Sequence, residues 1–322
     1  MNPFAKRRSA LLETPAEAGA RRRGQTARER HDPQRRLVLK GTAGVFALSG
    51  FGGALLSACG GSVGASDGND TPTPQIASVA NFRDIGGAAD GYPTVDGLRV
   101  RRGLYYRSDA LTLDAADTVV ADKLRIVTVY DLRTPAEIAQ TADVLPAGAS
   151  YVTINVEGTQ QSTVTASSSA DQSTATMKEQ WSAFVTSDVR RVALGSLLSQ
   201  MNQTEGVQLF HAGTQLDIAG WVAALLLSIA NAPFDVIMQD YLMTNGYAAA
   251  EIDASLAVIR QQQGDDAANA QAPLYQAEES YIQAAFQQVQ ASYGTVKNYL
   301  MSGLGLSATT IAQLRARLVL QN

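Results

Sequence analysis

The sequence predicts an α/β fold, and three observations lead there. Short β-branched runs alternate with helical patterns along the chain, the signature of layered sheet and helix. One stretch, Ile218 to Ala230, is apolar on every side yet too short to span a bilayer, so it reads as a buried helix packed on a sheet. About 240 residues follow a polar N-terminal region, enough for one sizeable core.

The elements follow in order. Residues 124–132 are rich in β-branched side chains and bounded by charge, which predicts a buried strand. Residues 151–156 alternate and predict a second strand, and residues 207–210 a third that runs straight into His211. Strand, loop and helix in that order aim backbone N–H groups at an anion. Pro233 opens the first turn of another helix, over 235–245. Helical patterns continue over 248–262, 275–292 and 307–320; Ser307 suits the N-cap of the last, and Gly303 and Gly305 interrupt the chain before it. Residues 158–176 are mostly Ser, Thr, Gln and Ala and read as a mobile surface loop, either a lid or a plain insertion.

Charge separates the N-terminus from the rest. Residues 1–59 hold eleven Lys and Arg against four acids, leaving 15 basic and 26 acidic residues beyond them. Such asymmetry points to a targeting segment, and the acidic remainder would repel a nucleic-acid backbone. Arg35-Arg36-Leu37-Val38-Leu39-Lys40 resembles a twin-arginine export signal. A glycine-broken apolar stretch follows and ends in Leu56-Ser57-Ala58-Cys59, which resembles a bacterial lipobox. Cys59 is the single cysteine and the predicted lipid attachment site. The alternative is an uncleaved membrane anchor. Residues 60–78, rich in Gly, Ser, Asp, Thr and Pro, read as a flexible tether, with the folded domain over 79–322. The expected location is the bacterial cell envelope, lipid-anchored and facing the periplasm or exterior.

Further motifs lie within the domain. They are Asn81-Phe82-Arg83-Asp84-Ile85-Gly86-Gly87 with Gly103-Leu104-Tyr105-Tyr106-Arg107-Ser108-Asp109-Ala110-Leu111, then Tyr130-Asp131-Leu132-Arg133-Thr134-Pro135-Ala136-Glu137, then the loop from His211 to Gly220. In this order they resemble the atypical bacterial tyrosine phosphatases that also act on phosphoserine and phosphoinositides, and residues 293–300 fit that family's ending. The resemblance implies a tyrosine-phosphatase-like fold, with a central, mostly parallel sheet flanked by helices and a helical C-terminal part.

The family's loop reads His-Cys-x-x-Gly-Lys-Asp-Arg-Thr-Gly. Here His211 matches, Ala212 replaces the nucleophilic Cys, Gly213 and Thr214 fill the variable positions, and Gln215 replaces Gly. Leu216 replaces Lys, Asp217 is kept, Ile218 replaces Arg, Ala219 replaces Thr, and Gly220 matches. Ala212 has no lone pair with which to attack phosphorus. Ile218 offers neither the charge nor the fork of donors that clamps a phosphoryl group. Loss of all four groups reads as a natural pseudoenzyme.

The retained polar residues each carry two readings. His211 orients the loop or meets a ligand. Asp217 is the proton donor that the resemblance implies, or a helix N-cap. Arg83 and Asp84 line the former phosphate site, or form a turn and salt bridge. Asp131 and Arg133 sit at a strand end, where packing and ligand contact are both common. Thr214 and Asp217 could stand in as nucleophiles, but an aspartyl-phosphate route needs a metal, and no metal-ligand cluster or cofactor motif is read. Three functions follow: a lipid-anchored pseudophosphatase binding a phospho-ligand or protein partner, a phosphatase with residual or altered activity, or an envelope scaffold.

Overall fold

The structure, a computed structural model, describes residues 73–158, 168–213 and 216–320. The proposed signal, Cys59 and residues 60–72 of the tether lie outside the described residues, as do Thr214 and Gln215. In chain order the elements are β1 (Arg83–Asp84), β2 (Arg99–Val100), β3 (Tyr105–Ser108), α1 (Ala115–Lys123), β4 (Ile126–Asp131), α2 (Pro135–Gln140) and β5 (Ser150–Thr153). Next come α3 (Ala170–Thr186), α4 (Asp188–Gln203), β6 (Val207–His211), α5 (Ile218–Ala230), α6 (Phe234–Leu242), α7 (Thr244–Tyr247), α8 (Ala249–Gln263) and α9 (Asp265–Gln271). The C-terminal part is α10 (Glu279–Tyr293), α11 (Val296–Asn298), α12 (Ala308–Leu318) and β7 (Val319–Leu320).

One sheet runs β1-β3-β6-β4-β5, and every neighbouring pair is parallel except β1 with β3. A small antiparallel pair joins β2 to β7. The architecture is therefore α/β, with a mostly parallel sheet, flanking helices and a helical C-terminal part. Successive side chains of a strand point to opposite faces. Accordingly Phe210 and Tyr130 enter the larger core while Leu209 and Val129 enter a smaller one with Val79, Phe82 and Leu111.

The larger core is built around α5, where all residues but Ser228 are buried. Trp221 on α5 stacks with Phe184 and meets Trp181 and Phe286 edge-on. Asn231 ends the helix in the left-handed conformation, φ 66°, one of the few that Asn accepts readily. No helix among the described residues is long and apolar enough to cross a membrane.

Three expectations change. The stretch 158–176 is not all loop: α3 starts at Ala170, with Ser169 capping it by accepting from the Gln172 N–H. Residues 159–167 lie outside the described part. Ser173, Met177, Trp181 and Phe184 form a buried stripe that the polar composition concealed. Residues 73–78 are not tether either. Ile76 joins the smaller core, and the Ser78 N–H and hydroxyl both donate to Asp117 at 2.7 Å. Finally, the helix expected from residue 275 starts at Glu279, because Pro273 sits in a short 3-10 turn ahead of it. Ser307 caps α12 as expected, its hydroxyl accepting from the Thr310 N–H.

Candidate functional site

Parallel register brings Ser108 of β3, His211 of β6 and Asp131 of β4 side by side at the carboxyl ends of the strands. In open α/β sheets ligands bind in the crevice outside those ends. The chain leaves this edge through Asp109, through Leu132 and Arg133, and through Ala212 and Gly213. The motifs read from the sequence therefore converge on one place.

The described residues Ala212, Leu216 and Ile218 after β6 are apolar and packed. Ala212 is 1% exposed, Leu216 5% and Ile218 2%, and all three belong to the larger core. Buried hydrocarbon thus stands at the positions where the resemblance expects the nucleophile and the guanidinium. A Cβ at Gly213 would meet Glu137 Oε1, the end of a flexible side chain, at 2.5 Å, so Glu137 would have to move aside.

Asp217 caps α5, its Oδ1 accepting from the Gly220 N–H at 2.6 Å. The same oxygen accepts from Arg107 Nη2 at 2.5 Å, and Thr244 donates to Oδ2 at 3.1 Å. Burial disfavours its charge, but Arg107 and Arg83 outweigh burial and hold the carboxyl below the usual range. Asp217 is a cap and a counter-ion.

Arg83 and Asp84 make structural bonds and also line a cavity of about 270 Å³. Arg83 donates to the Asp240 carbonyl at 2.9 Å and to Thr244 at 3.2 Å, and lies over the Tyr247 ring. Asp84 accepts from the backbone N–H groups of Gly86 and Gly103, at 2.8 and 2.5 Å, closing the turn after β1. Burial nonetheless raises its pKa to about 6 against those bonds.

Arg133 grips Asp131 with Nε at 2.9 Å and Nη2 at 2.8 Å, and reaches Asp143 at 2.9 Å. His211 Nε2 lies 3.0 Å from Asp143, and the Tyr151 hydroxyl donates to Asp131 at 2.5 Å. Despite burial, these bonds and His211 keep Asp131 below its ordinary pKa. Asp131, Asp143 and His211 have ligand atoms within 4.8 Å of one another, a grouping with metal-ligand chemistry that the sequence reading missed. Arg133 already supplies the cation between the two carboxylates, so these residues suit a buried ion-pair cluster better than a metal.

Beside Gly213 opens a cavity of about 240 Å³, lined among others by Ala80, Asp109, Arg133, Glu137, Thr141 and Glu251. Asp109 is 7% exposed. Its Oδ1 accepts from the Asn81 side chain at 3.2 Å, while Oδ2 has no hydrogen-bond partner among the described residues. Burial and the negative charge of Asp217 raise its pKa to about 7, against the Asn81 bond and Arg107.

Sequence reasoning missed Arg107, Asp109, Asp143, Asp240 and Glu251 as site residues. Arg107 and Asp109 stand inside a motif already singled out, so their signal was present. Asp143, Asp240 and Glu251 have no local pattern and meet the site only through the fold.

Comparison with known proteins agrees with this geometry. Residues 74–320 match the model of the "Tyrosine phosphatase family". The chain is 30% identical over 245 residues to a protein of Cupriavidus necator named "Putative tyrosine-protein phosphatase", an alignment covering 74% of this chain and 85% of that protein. The β6–α5 loop at the carboxyl edge of the sheet, the motifs around it and these matches lead to one conclusion: this chain belongs to the tyrosine phosphatase family.

Proposed function

We propose that this family member is a pseudophosphatase, exported and lipid-anchored through Cys59, which binds a ligand or partner without cysteine-based turnover. The observation that carries the reading is Ala212 at the nucleophile position, buried beside an equally buried Ile218. Asp217 supports it, because its ion pair with Arg107 keeps it ionised. Cys59 is the only thiol in the chain and precedes the folded part, so no other cysteine supplies the missing nucleophile.

The deciding measurement is hydrolysis of a phenyl phosphate by the purified full chain. The expected rate equals that of a blank; phosphatase turnover without a cysteine would sink the reading. The anchor is tested separately. A Cys59→Ser variant should move from the membrane fraction to the soluble fraction, because the thiol that accepts the lipid is gone. Unchanged fractionation would refute the lipid assignment.

A further inference from the structure

A cavity of about 770 Å³ opens where β3 and β6 begin, at the end of the sheet opposite the β6–α5 loop. Its wall includes Arg101, Leu104, Asn202, Glu205, Gln313 and Arg317. Seven other arginines of the described part lie within 4.0 Å of a carboxylate, whereas Arg101 and Arg317 meet none among the described residues. Beyond residue 59 the chain has 26 acidic against 15 basic residues. Two unpaired guanidinium groups lining one cavity therefore run against its overall charge.

Hydrogen bonds hold both groups in place. Arg317 Nη1 donates to the Met201 and Asn202 carbonyls, at 3.0 and 2.9 Å, closing the last turn of α4. Arg101 Nε donates to the Arg317 carbonyl at 3.1 Å, and its two Nη atoms have no partner among the described residues. A guanidinium fixed along one edge keeps the rest of its fork for a carboxylate, at little further entropy cost. Asn202 Nδ2 donates to Gln313 Oε1 at 2.8 Å, which leaves the Gln313 nitrogen as a donor in the same wall. A carboxamide matches a peptide group, its N–H donating to a carbonyl and its oxygen accepting from an amide. The volume is that of a site for an extended ligand. One small anion would fill little of it and leave Leu104 and Gln313 uncovered.

We propose that this cavity binds an acidic peptide segment of a partner protein, with carboxylates on Arg101 and Arg317 and a backbone carbonyl on Gln313. Charge complementarity selects the occupant, and the site stands apart from the β6–α5 loop, so it does not depend on the pseudophosphatase reading. Glu205 is exposed in the same wall and opposes an anion, which limits the affinity. Attraction between exposed charges is screened by salt, so binding should weaken as ionic strength rises.

The test is fluorescence anisotropy of dye-labelled tetraglutamate titrated with the full chain at low and high salt, with labelled tetraglutamine as the control for the dye. Expected are saturable one-to-one binding of tetraglutamate at low salt, loss of affinity at high salt, and no saturable binding of tetraglutamine. Arg101→Gln should weaken tetraglutamate several-fold, and Glu205→Gln should tighten it, a gain that damage to the fold does not produce. Should Arg101→Gln fail to fold, Glu205→Gln decides alone. No saturable binding by folded wild-type protein, or unchanged affinity in either folded variant, would overturn the proposal. Displacement of the peptide by equimolar inorganic phosphate, or by phosphatidylglycerol vesicles, would assign the arginines to phosphate or to a lipid surface and overturn it as well. Turnover of a phenyl phosphate by the same sample would sink the pseudophosphatase reading and leave this inference standing.

Discussion

At the scale of single residues, the replacement of the residues that the resemblance expects was legible because it needs only counting. One cysteine, at position 59, and Ile218 where the resemblance expects arginine carry the pseudophosphatase proposal on composition and order alone. The contacts around these positions were not legible. Arg107 and Asp217 are 110 positions apart in sequence, and no local pattern pairs them. Their pairing yields a direct test. Asp217→Asn keeps a competent N-cap for α5 but leaves the fully buried Arg107 without its nearest counter-charge. Breaking a buried pair from one side costs about 3–5 kcal/mol. Urea unfolding should show a loss of that order; a midpoint like the wild type's would mean that Asp240, 3.8 Å from Arg107, already suffices.

At the scale of elements, strands and helices were both read unevenly: β4, β5 and β6 were expected, while β1, β2, β3 and β7 were not. Strands β4 and β6 emerged within two residues of their expected bounds because β-branched runs have few alternative structures. Helices α3 and α4 escaped notice, since Ser, Thr and Gln on their outer faces dilute a narrow buried stripe. Their packing is close all the same. Gly195 of α4 faces the Leu304 carbonyl, and an added Cβ would lie 2.1 Å from that oxygen. Both partners there are backbone, which cannot step aside as a side chain can. Gly195→Ala should therefore cost more than the helix gains from alanine, about 1–3 kcal/mol net by the usual scale of overpacking. An equal or raised melting temperature would show that α4 and the 300–306 segment separate freely.

At the scale of the whole molecule, buried acids divide into two groups with opposite effects on stability. Asp131 and Asp217 titrate below their ordinary range, so the stability they contribute is present above about pH 4 and lost as pH falls further. Asp84 and Asp109 behave oppositely, with pKa values of about 6 and about 7. Between about pH 4 and 7 the folded chain holds protons that the unfolded chain has released, so stability falls as pH rises through that window. Each tenfold difference in proton affinity is worth about 1.4 kcal/mol. Melting temperature should consequently be higher at pH 5 than at pH 8, and Asp109→Asn should flatten the slope. A profile rising steadily from pH 5 to 8 would contradict this balance. None of it could be read in advance, because the same four aspartates in sequence carry no mark of their surroundings.

The burial of α5 also bears on how the domain opens to solvent. Its N-terminus follows directly on the loop beside the cavity at Gly213, and twelve of its thirteen residues lie in the core. A segment so enclosed loses its amide protons to solvent only when the whole domain opens, rather than through local fraying. Amide exchange along α5 should therefore be among the slowest of the described residues, a ranking that hydrogen exchange read by mass spectrometry would check.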